Sequence, residues 1–245
     1  QGPPLGTRGA DDMGRVYRYV KAGAVDLIAG TVIQGPATIA GHLTLAVHTT
    51  SGGTSPGSTS IMVTAVSAVA SGIYNEGLLI VATGSGQGGA YKINRHLDGR
   101  VTNSGGATIS TGATGEFQLY NEDAIPTLTN MTISTSSKIS LIQNPYSNVI
   151  IAPVTTLTGP IVGVATYVIT ATQFGWIQTW GPCAVLSNDT SALGVSVVGA
   201  ASTCGRVEGV ASGTLGTSTT TFLGNLLKSP IIGYNMIVGV QGEIR

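Results

Sequence analysis

Charged side chains are scarce in this sequence: they make up 9% of its 245 residues, with 11 basic and 11 acidic groups. Soluble domains ordinarily carry about 25% charged residues, because a surface that is free in water needs them for solubility. The formal net charge of zero gives no attraction for nucleic acid or for an acidic membrane surface, so we expect neither as a partner. The scarcity of charge predicts that much of the surface is covered by copies of the chain or by another protein.

Cysteines and long apolar runs are scarce as well. The two cysteines, Cys183 and Cys204, are too few for a disulfide framework. They either pair across neighbouring strands or stay reduced as small apolar groups, and we favour the second interpretation. The most apolar region, residues 148–177, is interrupted by Pro153 and Gly159 among others, so its segments are too short for a transmembrane helix.

Charged and aromatic side chains are few, and glycine and β-branched residues are abundant instead. Alternating apolar and polar residues recur over the length of a strand, and clusters of Gly, Ser and Asn that are typical of turns separate them. The five clearest segments are residues 43–47, 61–66, 78–81, 138–142 and 195–198. No stretch of ten or more residues has helical periodicity, so we expect an all-β protein of antiparallel β-sandwich or β-barrel blocks with an extended N-terminal arm.

The sequence divides into three zones that differ in composition and in the pattern of strands and turns. Residues 1–36 are expected to form an N-terminal arm and a first strand, residues 37–158 a main β domain, and residues 159–245 a C-terminal β domain. Short similar segments occur in the first and last zones, such as Gly14-Arg-Val and Gly205-Arg-Val. Either similar turns recur by chance, which we favour, or the N-terminal segment joins the C-terminal block in one sheet.

The residues that commonly carry catalysis do not form a recognisable site. His42, His48 and His96 lack the spacing of a metal site, although the first two would share a face if they lay in one strand. The glycine-rich segment Gly84-Ser-Gly-Gln-Gly-Gly lacks the lysine and the following helix of a phosphate-binding loop, and it predicts a hairpin turn instead. We therefore expect no enzymatic activity, no metal and no cofactor.

The densest aromatic segment is Phe174-Gly-Trp-Ile-Gln-Thr-Trp-Gly-Pro. Under strict alternation Phe174, Trp176 and Trp180 share one face, with Gln178 between the two tryptophans. A carbohydrate-binding platform would fit that pattern. Burial of the three rings in the core or in a permanent subunit interface is the interpretation we favour, because large rings bury the most area.

The order of several motifs resembles that of virion structural proteins of tailed bacteriophages, and more narrowly that of head decoration or cement proteins. The resemblance spans nearly the whole chain and rests on the order of the motifs and on the general composition. The motifs are Gly14-Arg-Val-Tyr-Arg-Tyr-Val-Lys-Ala-Gly, Tyr74-Asn-Glu-Gly-Leu-Leu-Ile-Val, Gly88-Gly-Ala-Tyr-Lys-Ile, Ile139-Ser-Leu-Ile-Gln-Asn-Pro-Tyr, Gly159-Pro-Ile-Val-Gly-Val and Trp176-Ile-Gln-Thr-Trp-Gly-Pro-Cys-Ala-Val-Leu.

The resemblance implies a β-rich, non-enzymatic protein on the outer surface of the virion capsid. Its expected partners are the major capsid protein and further copies of itself, with a trimer as the first hypothesis. The basic residues Arg8, Arg15, Arg18 and Lys21 are candidates for an arm that contacts capsid carboxylates. The alternative is a head or tail fibre component that binds host surface glycans through the aromatic segment.

Overall fold

The computed structural model describes residues 2–47, 57–98, 108–120, 133–154, 156–210, 222–227 and 235–241. In these ranges the chain forms antiparallel strands and one short 3-10 helix, Ala40–His42, which confirms the all-β prediction. No helix in the described ranges is long and apolar enough to span a membrane. The strands are β1 (Arg8–Ala10), β2 (Val16–Lys21), β3 (Val32–Gln34), β4 (Leu45–Val47), β5 (Ser60–Thr64), β6 (Leu78–Thr83), β7 (Ala90–Asp98), β8 (Thr114–Leu119), β9 (Lys138–Ile142), β10 (Ile150–Ile151), β11 (Ile161–Ala165), β12 (Phe174–Leu186), β13 (Ser196–Gly199), β14 (Val207–Gly209), β15 (Phe222–Asn225) and β16 (Asn235–Gln241).

The chain folds into two compact units whose boundaries differ from those of the three expected zones. Unit 1 combines Gln1–Ala37 with Pro145–Arg245, and unit 2 is Thr38–Asn144. The first zone is part of unit 1 because β2 pairs with β12 in one antiparallel sheet. The N-terminal segment and the C-terminal block therefore share one sheet. The short similar segments at the two ends of the sequence allowed this interpretation, although chance recurrence was favoured.

Unit 1 is organised around one antiparallel main sheet. Its strand order is β1-β2-β12-β11-β3-β10, and β16 pairs with the second part of β12. The strand β12 is 13 residues long, and this length lets it pair with β2 over one part and with β16 over the other. The expected extended N-terminal arm is instead an edge of this sheet, because β1 pairs with β2 in antiparallel register.

Apolar cores lie on both faces of the main sheet. Val32 of β3 belongs to a core that includes residues of the small antiparallel sheet β14-β13-β15, whereas its neighbour Ile33 belongs to a core on the opposite face. Adjacent strand residues point to opposite faces, so a strand between two cores is buried on both faces. This explains why all three residues of β3 are buried.

Unit 2 is a closed barrel of six antiparallel strands in the order β4-β5-β8-β7-β6-β9. Alternate residues of its strands point inward, and a barrel of this size is filled by its own side chains. The buried interior residues include Leu45, Ile61, Leu79, Ile93, Phe117 and Ile139. Closure pairs the edge strands with each other, which removes the exposed edges that promote aggregation.

Candidate binding surface on the main sheet

An aromatic row crosses two neighbouring strands of the main sheet. In the register of β2 and β12, Tyr19 lies opposite Trp176, and Lys21 lies opposite Phe174. The Tyr19 ring stacks on Phe174, with centroids 5.7 Å apart and planes 8° from parallel. The centroids of Tyr19 and Trp176 are 5.2 Å apart, and those two planes are tilted by 59°. Tyr17 is on the same face, so we define the aromatic row as Tyr17, Tyr19, Phe174 and Trp176.

The aromatic row lies on the same face of the main sheet as the core that contains Val164. Directly paired residues share a face, and the pairs Tyr17 with Gln178 and Gln178 with Val164 place the row on the side of Val164 and its core. Phe174 nevertheless remains 52% exposed. On the opposite face of the same strands, residues such as Val20 are fully buried, so one side of β2 and β12 forms core and the other a partly open surface.

The N-terminal strand supports the row from the side. Gly9 of β1 lies beneath Trp176, because a Cβ atom placed on Gly9 would come within 3.2 Å of the Trp176 ring. The absence of a side chain at Gly9 therefore leaves room for the indole to rest on the backbone of β1. The backbone N–H of Trp176 donates a hydrogen bond of 2.7 Å to the hydroxyl of Tyr167.

A cation stands at each end of the row. The Lys21 ammonium is 5.9 Å from the Phe174 ring centroid, and the Arg15 guanidinium is 5.9 Å from that of Tyr17. Arg15 forms an ion pair of 2.6 Å with Asp11, and its hydrogen bond to that carboxylate raises the pKa of the guanidinium. In the described part of the chain no carboxylate pairs with Lys21. The uncompensated charge thus lies at the Phe174 end.

The four basic residues predicted to act as one arm are divided between two faces. Arg18 donates a hydrogen bond of 2.9 Å to the carbonyl oxygen of Gly6, and its guanidinium is 6.0 Å from the Tyr146 ring centroid. Arg8 lies opposite Arg18 in the register and shares its face. Only Arg15 and Lys21 flank the aromatic row, so the structure does not gather the four charges in one contact surface.

The expected face of three C-terminal aromatics forms only in part. The pairing of β12 with β2 shifts register between Gln178 and Trp180, which inserts an extra residue and interrupts the alternation. Gln178 is buried, and its amide donates hydrogen bonds to the carbonyl oxygens of Trp180 and Pro182 at 3.1 Å and 2.8 Å. Within the described residues Trp180 has no ring partner and is exposed.

Tyr17, Tyr19 and Lys21 are the members of the site that the aromatic segment alone did not predict. The alternation in residues 16–20 places Tyr17 and Tyr19 on one face of a strand. That pattern is a signal for a half-exposed face. It does not name the neighbouring strand, and only the pairing of β2 with β12 brings the tyrosines to Phe174 and Trp176.

A second surface, the loop-tip patch, consists of Val25, Ile28, Tyr167 and Val168. These side chains are between 44% and 64% exposed, which is unusual for large apolar groups on neighbouring loops. Reciprocal backbone hydrogen bonds of 2.9 Å and 3.0 Å between Leu27 and Ile169 hold the two loops together. The patch is therefore a defined apolar surface at one end of the main sheet, and Tyr167 links it to the aromatic row through Trp176.

Comparison with known protein families, curated proteins and solved structures gives no match.

A cavity of about 490 Å³ lies between the main sheet and the small sheet. Most of its lining is apolar and includes Val32, Leu157, Ile161 and Leu223. Arg206 is the one charged residue among the described residues that line it, and its guanidinium donates a hydrogen bond of 3.4 Å to the carbonyl oxygen of Ser187. Among the described residues that line the cavity there is no acid–base pair.

The histidines do not form a metal site in the described residues, where no three metal-ligating side chains cluster. His42 lies in the 3-10 helix rather than in a strand, and its Nδ1 is 2.6 Å from the hydroxyl of Tyr74. Both side chains are buried in unit 2, and burial raises the pKa of the Tyr74 phenol. His96 is part of β7, and His48 lies outside the described residues.

The remaining predicted features have structural roles. The glycine-rich segment that begins at Gly84 connects the antiparallel strands β6 and β7, which confirms the hairpin over a phosphate-binding loop. Cys183 and Cys204 are both free thiols. Burial raises the pKa of the Cys183 thiol to about 12, whereas Cys204 is exposed. A buried thiol of this kind is inert and packs as a small apolar group.

Proposed function

We propose that this chain is a non-enzymatic structural protein of a tailed-phage virion, a decoration or cement protein bound to the outer surface of the head shell. The order of its sequence motifs supports the class of protein. Its scarcity of charge, 9% of the residues, supports a protein whose surface is consumed by contacts, because small polar and apolar side chains lose little entropy when they are ordered.

The loop-tip patch is the observation that carries the proposal. Fully burying a large apolar side chain contributes about 1.5–3 kcal/mol, so Val25, Ile28 and Val168 together supply a useful part of the free energy of docking. The patch is held by the Leu27–Ile169 hydrogen bonds, so little order has to be gained on binding. We assign this patch to the contact with the major capsid protein.

Self-association belongs to the same proposal. A decoration protein occupies many equivalent positions on a shell, and we propose that it does so as a homo-oligomer, with a trimer as the first hypothesis. The low charge of the surface supports close packing of copies, because few charged groups have to be desolvated. Light scattering of the purified full chain measures the oligomeric state directly.

The test is to image shells assembled with the wild-type chain and with an Ile28→Ser/Val168→Ser variant. We expect wild-type density on the outside of the shell, and an occupancy for the variant that is lower by at least about tenfold at the same concentration. Leu193→Ser is the matched control, because Leu193 is at least as exposed as Ile28 and Val168 but lies in the turn that precedes β13. Full occupancy by the double variant would contradict the assignment of the patch, and density in a tail would contradict the whole proposal.

A second candidate function is favoured by the aromatic row. A head or tail fibre component that binds host glycans would present exposed rings on a rigid sheet, as the exposed Phe174 ring is presented here beside the half-buried Tyr19. The imaging experiment separates the two candidates by location, because a fibre component projects from the particle and a decoration protein lies on the shell.

A further inference from the structure

The rings of the aromatic row are fixed before any ligand arrives, and the exposed part of the Phe174 ring is the surface that the row offers. Tyr19 and Phe174 are nearly parallel, and Trp176 is held by Gly9 beneath its ring and by the hydrogen bond of its backbone N–H to Tyr167. Side chains carried by paired strands hold their positions better than side chains on loops. A ligand that stacks on these rings therefore meets a prepared surface and orders little of the protein when it binds.

The chemistry of ring faces selects the kind of group that stacks there. An aromatic face carries partial negative charge, so it attracts the weakly positive C–H bonds that line one side of a pyranose ring. The sugar hydroxyls point outward around the ring and stay in water when that side is covered. An exposed ring on an open sheet surface, such as Phe174, suits such a ligand better than it suits a wholly apolar one, which would require an enclosed pocket.

The charge beside the row defines the ligand further. Lys21 lies directly opposite Phe174 in the register, and its ammonium is 5.9 Å from that ring centroid. The cation at the other end, Arg15, is already neutralised by Asp11. Among the described residues Lys21 has no carboxylate partner, and such a positive charge next to an exposed ring complements a sugar that carries a carboxylate.

We propose that the aromatic row binds an acidic glycan, with a sugar ring stacked on Phe174 and its carboxylate at Lys21. This inference rests on the second candidate function and adds to it the ligand class and the residues of the site. It does not depend on shell docking. Of the loop-tip patch it uses only the Tyr167 hydroxyl, which the Ile28→Ser/Val168→Ser variant leaves in place.

The test uses the purified full chain and two probes, an oligogalacturonate and a neutral cello-oligosaccharide of the same length. Titration is followed by calorimetry and by tryptophan fluorescence in a Trp180→Phe background, where Trp176 is the sole tryptophan. We expect the acidic probe to bind more tightly than the neutral one and to shift the Trp176 emission. Added salt should reduce the difference between the two probes, because it screens the charge of Lys21.

Two variants and a control locate the site. Phe174→Ala removes the exposed stacking surface and should weaken binding of oligogalacturonate by at least about tenfold. Lys21→Gln keeps the rings and removes the positive charge. The affinity for the acidic probe should fall to about that for the neutral probe, and the affinity for the neutral probe should stay unchanged. Trp180→Ala is the matched control, because it truncates an exposed aromatic of the same strand outside the row, and it should leave binding unchanged.

Three results would overturn the inference: no binding of oligogalacturonate by the wild-type chain, equal binding by Phe174→Ala, or equal loss in Trp180→Ala. If Phe174→Ala instead converts an oligomer into a monomer, the row is a contact between copies and the glycan site is wrong. Shell occupancy of Phe174→Ala is measured in parallel, so that failure of the glycan site and failure of the decoration proposal are read from separate assays.

Discussion

Single glycines determine where this backbone can bend and how closely neighbouring strands can approach each other. Gly163 has a φ of +151° and lies where the pairing of β11 with β3 shifts register. A Cβ atom at this position would stand 2.5 Å from the carbonyl oxygen of Gln178, which belongs to the backbone of β12 and cannot turn away. The residue is therefore constrained by conformation and by space at once.

Gly163→Ala should destabilise the protein measurably. Holding a residue with a side chain in such a backbone region costs about 1–3 kcal/mol, and the contact with the Gln178 carbonyl adds to it. Urea unfolding followed by tryptophan fluorescence measures the loss, since both tryptophans lie in unit 1. Gly199→Ala in β13 is the control, because nothing lies within 4 Å of its added Cβ and its φ is not positive. Equal stability of the two variants would refute the argument.

Individual strands were well predicted by the sequence, whereas their neighbours were not. Residues 138–142 alternate apolar and polar side chains, and β9 spans those residues with the predicted burial pattern. Such alternation reports which face of a strand is buried and is silent about the strand beside it. The pairing of β2 with β12 joins residues more than a hundred positions apart, so no local pattern contains it. The alternation in the sequence did not predict the bulge at Gln178 either, because a bulge is defined by the register with the neighbouring strand β2.

The first strand has a structural role that can be tested by removing it. Deletion of residues 1–13 takes away β1, the surface beneath Trp176 and the Asp11 partner of Arg15. We expect β2 to become the edge of the main sheet and the Trp176 emission to shift toward that of a more exposed indole. A loss of about 2 kcal/mol would lower the Tm by roughly 4–8 °C.

A shorter deletion, residues 1–3, is the control for the first strand because it leaves β1 paired. It should change neither the Tm nor the emission spectrum by a comparable amount. If the longer deletion leaves both unchanged, β1 is dispensable and the segment is the extended N-terminal arm that the sequence predicted.

The two units are connected in a way that makes unit 2 an insertion in unit 1. The chain leaves β3 toward the barrel and returns into β10, and these two strands pair with each other. The return point is close to the departure point, since a Cβ atom on Gly35 would lie 2.7 Å from the carbonyl oxygen of Pro145. Domains are inserted into others most readily where the two ends of the insert are close together.

Replacing residues 38–144 by a short Gly/Ser linker should therefore leave unit 1 folded. We expect a β-type circular dichroism spectrum, cooperative unfolding and the same tryptophan emission as in the full chain, because both tryptophans belong to unit 1. Residues 38–144 expressed alone should also fold, because the barrel closes on its own core. A shortened chain that unfolds without cooperativity would show that unit 1 needs the barrel.

The paired strands β3 and β10 also have an evolutionary consequence. Because β3 and β10 pair side by side, the main sheet hardly constrains the length or sequence of the segment inserted between them. The barrel is then an exchangeable cassette, free to diverge in length and sequence while the main sheet, the aromatic row and the loop-tip patch stay fixed. Among descendants of one ancestral gene, we expect variation to concentrate between residues 38 and 144.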